Sequence, residues 1–165
     1  MNATIAAGFV YEVELVKDGV VIDRETVHNL LPTEGINHML NATLKGGAQV
    51  TTWYVGIFEG NYTPLAGDTA ATFPAAATET TTYTEATRPE WVEGSVVTGA
   101  VSNAASKAEF TSNANKTIYG GFLTSAPTKG SAGGTLLSVV RFSSPKTFES
   151  GSVLRVTAGF TMTSV

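Results

Sequence analysis

An all-β fold is predicted by three features of this chain of 165 residues. Several short segments alternate apolar and polar residues, turns rich in Gly, Pro and Asn separate them, and a single segment has helical spacing. Strands joined in this way are typical of an antiparallel β-sandwich, jelly-roll-like or immunoglobulin-like, here with one short α-helix. The length suits a single domain over residues 1–165.

The first two strands are predicted to form a hairpin. Every second residue over 9–15 is apolar, whereas Glu12 and Glu14 fall on the opposite face. A second run over 20–27 follows the dipeptide Asp18-Gly19, and Asp-Gly between two such runs is a strong hairpin signal. We therefore expect an antiparallel pair with one face on the core.

A helix is predicted over residues 34–44. Thr33 is the expected N-cap after Pro32, and two glycines at 46–47 end the segment. The apolar residues at helical spacing are Ile36, Met39, Leu40 and Leu44. A helix of about three turns is not stable alone in water, so we expect it to cover one end of the β structure.

Further strands are predicted on both sides of a long loop. Residues 52–58 are apolar on both faces, which indicates a central, fully covered strand. The remaining strand candidates are residues 89–92, 106–111, 116–123, 135–142 and 152–162.

Residues 59–88 form a Thr/Ala-rich loop or arm, in which 14 of the 19 residues over 69–87 are Thr or Ala. Loops of this length inside a compact domain are usually functional or bound to a partner. Two interpretations stay open: an extended arm on a neighbouring protein, mobile over 62–88 until it is bound, or a loop that packs on its own sandwich. The arm interpretation assigns partner binding to Tyr62, Phe73, Tyr83, Arg88 and Trp91.

Charged residues near the end of this loop suggest that an ion pair holds it in place. Glu85, Glu90 and Glu93 surround Arg88 in the sequence. A buried Arg–Glu pair formed here would fix the end of the loop, and this interpretation is stronger than that of an active site.

Composition argues against several classes of protein. Charged residues make up 15% of the chain and the net charge is −4, so nothing favours binding to nucleic acid or to an anionic membrane. The chain has no cysteine, which excludes disulfides and thiolate metal sites. The first residues lack the features of a signal peptide, and the apolar runs are too short to span a bilayer. We expect synthesis in a host cytoplasm.

No motif for catalysis is apparent. His28 and His38 lie ten residues apart without metal-ligand spacing, and no nucleophile or phosphate-binding motif occurs. We expect no enzymatic activity, no cofactor and no metal. A carbohydrate-binding module remains an alternative, because Trp53, Trp91 and several tyrosines could form a stacking platform.

A resemblance to a known protein family covers most of the chain. The segments that carry it are NLLPTEGIN (29–37), WYVGIF (53–58), NYTP (61–64), GDTAATFP (67–74), EATR (85–88) with Trp91, IYGGFL (118–123) and RF (141–142). These segments resemble a family of small virion proteins of tailed bacteriophages.

The resemblance implies a non-enzymatic structural protein of the virion. Some phages place a β-sandwich protein of this size on the head as a cement or decoration protein. The expected partner is then the major capsid protein, whose shell this chain would stabilise as a homo-oligomer, a dimer or trimer, on the head surface. A phage tail or fibre subunit is the alternative, and the resemblance carries over no catalytic residue.

Overall fold

Two antiparallel sheets form the framework of the protein, and the computed structural model describes residues 4–164 of it. The chain is 46% strand and 10% helix, which confirms the predicted all-β, sandwich-like fold. The strands are β1 (Ile5–Lys17), β2 (Val20–His28), β3 (Tyr54–Phe58), β4 (Ala100–Ser102), β5 (Ala108–Thr111), β6 (Lys116–Thr124), β7 (Leu136–Phe148) and β8 (Val153–Ser164). The helices are α1 (Thr33–Leu44) and α2 (Phe73–Ala76).

The main core lies between the two sheets. The first has the order β2-β1-β8-β4, with β5 also paired to β8, and the second has the order β3-β6-β7. Tyr11 and Val156 of the first sheet and Ile57 and Ile118 of the second are fully buried in one cluster. The predicted alternation therefore places the apolar faces correctly, although β4 was not predicted and β7 is longer than expected.

The predicted hairpin is present as β1 and β2. Lys17 pairs with Val20 across the turn, and Asp18 and Gly19 have φ angles of 50° and 78°. Two central residues with positive φ form the turn type whose twist matches that of the strands, and Asp-Gly adopts it at low cost.

Helix α1 has the predicted extent, but its N-cap residue and the residues that contact the sheet differ from the prediction. The N-cap residue is Pro32, so the prediction of Thr33 as the cap is wrong. Gly35 packs so closely on β7 that a Cβ there would lie 2.4 Å from the carbonyl oxygen of Leu137. Because the close contact is made by this glycine, three apolar residues face solvent instead, namely Ile36 (39% exposed), Leu40 (50%) and Leu44 (75%).

Strand β3 is an edge strand, whereas the sequence predicted a central one. In its sheet it pairs with β6 on one side. Its other edge is covered by two segments of the returning chain, residues 77–80 and 89–91; for example, the N–H of Val55 donates to the carbonyl oxygen of Pro89 at 2.8 Å. The strand predicted over 89–92 is reduced to an isolated bridge at Glu90.

Two glycines make room for aromatic rings between β3 and β6. Gly56 lies opposite Phe122, and Phe58 lies opposite Gly120. A Cβ on Gly56 would lie 2.1 Å from the ring of Phe122, and one on Gly120 would lie 2.3 Å from that of Phe58. Each ring thus occupies the space of the missing side chain, and both rings join a second buried cluster with Phe73 of the long loop.

The long loop is folded onto the sheets. It contains helix α2, a short helix that the sequence did not predict. One carboxylate oxygen of Glu34 accepts hydrogen bonds from the N–H groups of Ala70 (2.8 Å) and Leu136 (2.7 Å), which ties the loop to α1 and β7. The single domain over 1–165 stays a prediction, and residues 1–3 and 165 lie outside the described part of the chain.

Candidate functional site

Four of the five residues predicted to bind a partner are buried in the protein itself. Phe73 is 0% exposed, Arg88 1%, Tyr83 2% and Trp91 5%, and Tyr62 is half-buried. These buried positions favour the second interpretation of the loop, in which it packs on its own sandwich. Phe73 is buried in the second apolar cluster, whereas Tyr83 and Trp91 are buried in the main core.

Phe73 and Tyr62 belong to this second cluster. The ring of Phe73 meets those of Phe58 and Phe122 edge-on, at centroid distances of 5.5 and 5.2 Å. The hydroxyl of Tyr62 donates to a carboxylate oxygen of Asp68 at 2.7 Å. This hydrogen bond, with some help from burial, raises the pKa of Tyr62 above its ordinary value.

Arg88 forms the predicted buried ion pair, but with a different glutamate. Its Nε and Nη2 atoms donate to the two carboxylate oxygens of Glu79 at 2.8 and 2.6 Å, and the two side chains are 0% and 2% exposed. The remaining donors reach the carbonyl oxygens of Ala126 (2.8 Å) and Ser131 (3.1 Å). The guanidinium is therefore satisfied within the chain and locks the loop to residues 126–131.

Tyr83 and Trp91 lie in the main core. The ring of Tyr83 packs edge-on against Phe110 at 5.0 Å, and the ammonium nitrogen of Lys129 lies 3.8 Å from its centroid. Burial raises the pKa of the Tyr83 hydroxyl. The indole N–H of Trp91 donates to the carbonyl oxygen of Ala158 at 2.9 Å. Trp91 is therefore not available for the stacking platform of a carbohydrate site.

The five residues consequently do not form one surface. They divide between two buried clusters of the chain, and a partner could reach the buried members only if the loop left the sheets. Their partner-binding role stays a prediction that depends on such a movement. The surface that a partner meets without it consists of other residues, which the sequence analysis did not single out.

The exposed apolar side chains fall into groups. One group follows helix α1, as described above, and another lies at the hairpin turn with Val20, Val21 and Ile22. A third lies where β1, β8 and β4 meet, with Ile5, Val96, Val97 and Met162. In this third region the backbone N–H of Met162 donates to the carbonyl oxygen of Gly99 at 2.9 Å, which joins the turn before β4 to β8.

A groove of about 490 Å³ lies in this third region, on the first sheet where β4 pairs with β8. Its lining is Val10, Gly94, Ser95, Val97, Ala100, Val101, Ser102, Ala104, Ala105, Gly159, Phe160 and Thr161. Gly159 of β8 lies opposite Val10 of the neighbouring strand β1 and opposite Ser102 of the other neighbour, β4. Because Gly159 has no side chain, the sheet is open at that position and the neighbouring residues form the walls.

A second depression of about 280 Å³ continues from the groove and shares Val10 and Thr161 with it. It extends over the start of β1 to His28 and Asn29. Among the described residues, no Asp, Glu, Lys or Arg side chain lines either depression. The two together, called the charge-free groove below, form the candidate functional site.

The lining of the charge-free groove consists of small, apolar and polar side chains. The described residues contain no group of three or more His, Asp or Glu side chains that could hold a metal ion. His28 lies at the edge of the groove, whereas His38 packs edge-on against Trp53 at 5.5 Å. Small and apolar side chains leave room for an apolar segment of another protein.

The sequence analysis did not predict the groove, but the sequence of the turn before β4 contains a feature that indicates it. Residues 92–99 are all exposed, although they include Val92, Val96 and Val97. Thr98 and Gly99 have φ angles of 51° and 73°, so they form a tight hairpin turn that presents the valines to solvent. An apolar segment with a Thr-Gly turn and no predicted strand partner is unusual on the surface of a protein.

Searches against protein-family models and against curated proteins found no match. Between residues 4 and 164, no helix is both long enough and apolar enough to cross a membrane.

Proposed function

We propose that this chain is a non-enzymatic structural protein of a bacteriophage virion, a cement or decoration protein that binds the major capsid protein on the head surface. The observation that carries the proposal is the charge-free groove, an apolar depression open to solvent and flanked by exposed valines. The sequence resemblance supports a phage virion as the particle, and the groove is the surface through which the chain would bind it.

The chemistry of the groove suits a shell subunit as the partner. A capsid cement has to bridge neighbouring subunits against the outward pressure of packaged DNA, and it needs contact area more than catalytic groups. Apolar contact does not weaken with salt, unlike surface ion pairs. Many copies on one shell would also act together, so that modest individual contacts hold firmly.

The long loop takes a new role in this proposal. Instead of an arm that reaches a neighbour, it is a built-in cover that closes the edge of β3 and locks itself through Arg88 and Glu79. An exposed strand edge is a site for unwanted pairing. On a particle with many copies, a covered edge would keep neighbouring copies from pairing at that position.

The test is mass spectrometry of purified virions whose heads and tails have been separated. We expect the chain in the head fraction, in a fixed ratio to the major capsid protein. Its presence in tails alone would contradict the decoration role and favour the tail or fibre alternative. Its absence from both fractions would contradict a virion role altogether.

A further inference from the structure

Strands β1 and β8 extend beyond the core as a ribbon, which is two-stranded beyond the contact of Met162 with Gly99. Ile5 pairs with Ser164 and Ala7 pairs with Met162, so the register continues to the ends of both strands. Residues 5–7 and 161–164 are nevertheless all exposed. A two-stranded ribbon with both faces in water is only marginally stable, and these residues, called the end ribbon below, gain little from their own domain.

Within residues 4–164, nothing pairs with one edge of the end ribbon. Strand β2 leaves β1 where His28 pairs with Val10. Asn29 then closes the next position, since its side-chain oxygen accepts from the N–H of Phe9 at 2.8 Å and its own N–H donates to the carbonyl oxygen of Phe9 at 3.1 Å. In an antiparallel ladder alternate residues bond to opposite sides. Ile5 and Ala7 therefore direct their N–H and C=O groups away from β8, toward this open edge.

Three other strand edges are protected. Residues 77–80 and 89–91 cover β3, and the carboxylate of Glu25 accepts from the N–H groups of Ser143 and Ser144 along β7. The carboxylate of Glu85 accepts from the N–H of Thr111 at the end of β5. Charged residues and covering segments are common protections against edge pairing. Over residues 5–8, which are Ile, Ala, Ala and Gly, the edge has no charge and no proline.

We propose that the open edge of β1 over residues 5–8 pairs with the same edge of a second copy of this chain, forming a two-fold dimer. The pairing is antiparallel and centred on Ala6, so that Ile5 of each copy lies opposite Ala7 of the other. The edge shares Ala6, Ala7 and Gly8 with the second depression of the charge-free groove, but dimer formation is measured on the isolated chain, so its test is separate from that of head binding.

The self-complementarity of this uncharged edge identifies a second copy as the occupant. Exposed residues of the end ribbon are all uncharged, so a charged partner would lose hydration there without gaining an opposite charge. A second end ribbon is equally uncharged, and its edge offers a donor for each acceptor and an acceptor for each donor. A two-fold contact requires this kind of self-complementary surface.

Side chains next to the edge add to the contact. A stable interface takes roughly 800 Å² from each partner, and an edge of four residues is too small to supply this area alone. On the same side of the ribbon, the core face continues outward from Phe9 to the exposed side chains of Ile5 (64%) and Met162 (48%). In the proposed pairing, the Ile5 of a second copy lies beside Ala7 on this face, which adds side-chain contact to the backbone pairing.

The experiment measures the mass of the untagged chain by sedimentation equilibrium over a range of concentrations, for wild type and two single variants. Ile5→Lys places an ammonium group at the dimer contact. Val20→Lys is the matched control, because Val20 is equally exposed at 62% but lies at the opposite end of β1. We expect wild type and Val20→Lys to form a dimer. The dimer dissociation constant of Ile5→Lys should be at least about tenfold higher than that of the control, since the lysine loses hydration in the dimer.

A backbone variant distinguishes edge pairing from a side-chain effect. Ala7→Pro removes an N–H that points to the open edge, so it should leave the β1–β8 ladder intact and weaken the dimer. Circular dichroism checks that each variant keeps the fold. Wild type that is still monomeric at about 1 mM, where even weak complexes form, would overturn the proposal. So would a dimer that tolerates Ile5→Lys and Ala7→Pro as well as Val20→Lys.

Discussion

Arg88 is the largest fully buried side chain among residues 4–164, and its ion pair with Glu79 is the main electrostatic contact that holds the long loop in place. Because both side chains are removed from water, loss of one leaves the other charge buried without a partner. We expect Arg88→Met to lower the free energy of unfolding by about 3–5 kcal/mol. Urea unfolding checks this value.

A control and a double variant complete that test. Arg155→Met breaks the exposed pair with Glu109, whose side chains are 35% and 51% exposed, and should change stability by at most about 1 kcal/mol. The double variant Arg88→Met with Glu79→Met should lose less than Arg88→Met alone, because no unpaired charge remains. If Arg88→Met matches Arg155→Met in its effect, the lock does not exist.

Glu14 is the second buried charge with a specific consequence. Its carboxylate accepts a hydrogen bond from Lys107 at 2.9 Å and another from Arg24. The hydrogen bond from Lys107, aided by Arg24, lowers the pKa of Glu14 although burial opposes the shift. The folded state thus favours the ionised carboxylate. Its contribution to stability is complete above the unfolded pKa of about 4.3 and disappears as the pH falls through the lower folded value.

The melting temperature as a function of pH tests this coupling. Glu14→Gln should be less stable than wild type near neutral pH, and the difference should shrink as the pH falls below about 4. Glu12→Gln is the control, since Glu12 lies on the same strand with a 38% exposed side chain and a longer contact to Lys107 of 3.6 Å. A difference between Glu14→Gln and wild type that does not vary with pH would refute the role of the ion pairs.

Individual buried polar residues could be predicted only in part. A buried Arg–Glu pair was expected at Arg88, but Glu79 was not identified, because the turn that brings it close depends on helix α2. The sequence also gave no reason to bury Glu14 or Asn103. Asn103 is 0% exposed, and its side chain bonds to the backbone of β8 at Ala158 and Val156. It fills the gap between β4 and β5, which strand patterns do not reveal.

Among the elements, the long loop differs most from its prediction. In the arm interpretation, Phe73 is an anchor for a neighbour, and its removal would spare the fold. Because it is fully buried between Phe58 and Phe122, we now expect Phe73→Ala to reduce the free energy of unfolding by about 3–5 kcal/mol. Leu65→Ala is the control in the same loop, since Leu65 is 58% exposed.

Chemical denaturation of both variants, with binding to undecorated phage heads measured in parallel, decides between the two interpretations of the loop. Phe73→Ala should be strongly destabilised, and Leu65→Ala should be close to wild type. A Phe73→Ala variant that keeps its stability and loses head binding would restore the arm interpretation.

Strand patterns predicted the sheets better than they predicted the connections. Alternation with a period of two correctly predicts which faces of β1, β5 and β8 lie on the core. Asp18-Gly19 correctly predicts the first turn. The edge position of β3 was missed because an apolar run does not distinguish a neighbouring strand from a covering loop. The apolar spacing of α1 was misleading, since Gly35 and not the larger residues makes the close contact with β7.

At the scale of the whole molecule, the distribution of charge separates two kinds of surface. Buried or half-buried ion pairs hold the loop, β2 and β7 in place, for example between Lys146 and Asp23 at 2.8 Å. The charge-free groove and the end ribbon lie together where β1 and β8 extend from the core. The sequence could not predict this grouping, because its members come from three distant segments that meet only in the folded sheet.

The central claim is that the charge-free groove binds the shell of a phage head. The most direct measurement is co-sedimentation of the purified chain with undecorated heads, comparing Val97→Lys with Val20→Lys. Val97 lines the groove and is 65% exposed, and Val20 is 62% exposed at the other end of β1. We expect wild type and Val20→Lys to sediment with heads and Val97→Lys to remain in the supernatant, because its ammonium group would lose hydration on binding. Binding of Val97→Lys equal to that of wild type, or no binding by wild type, would contradict the claim.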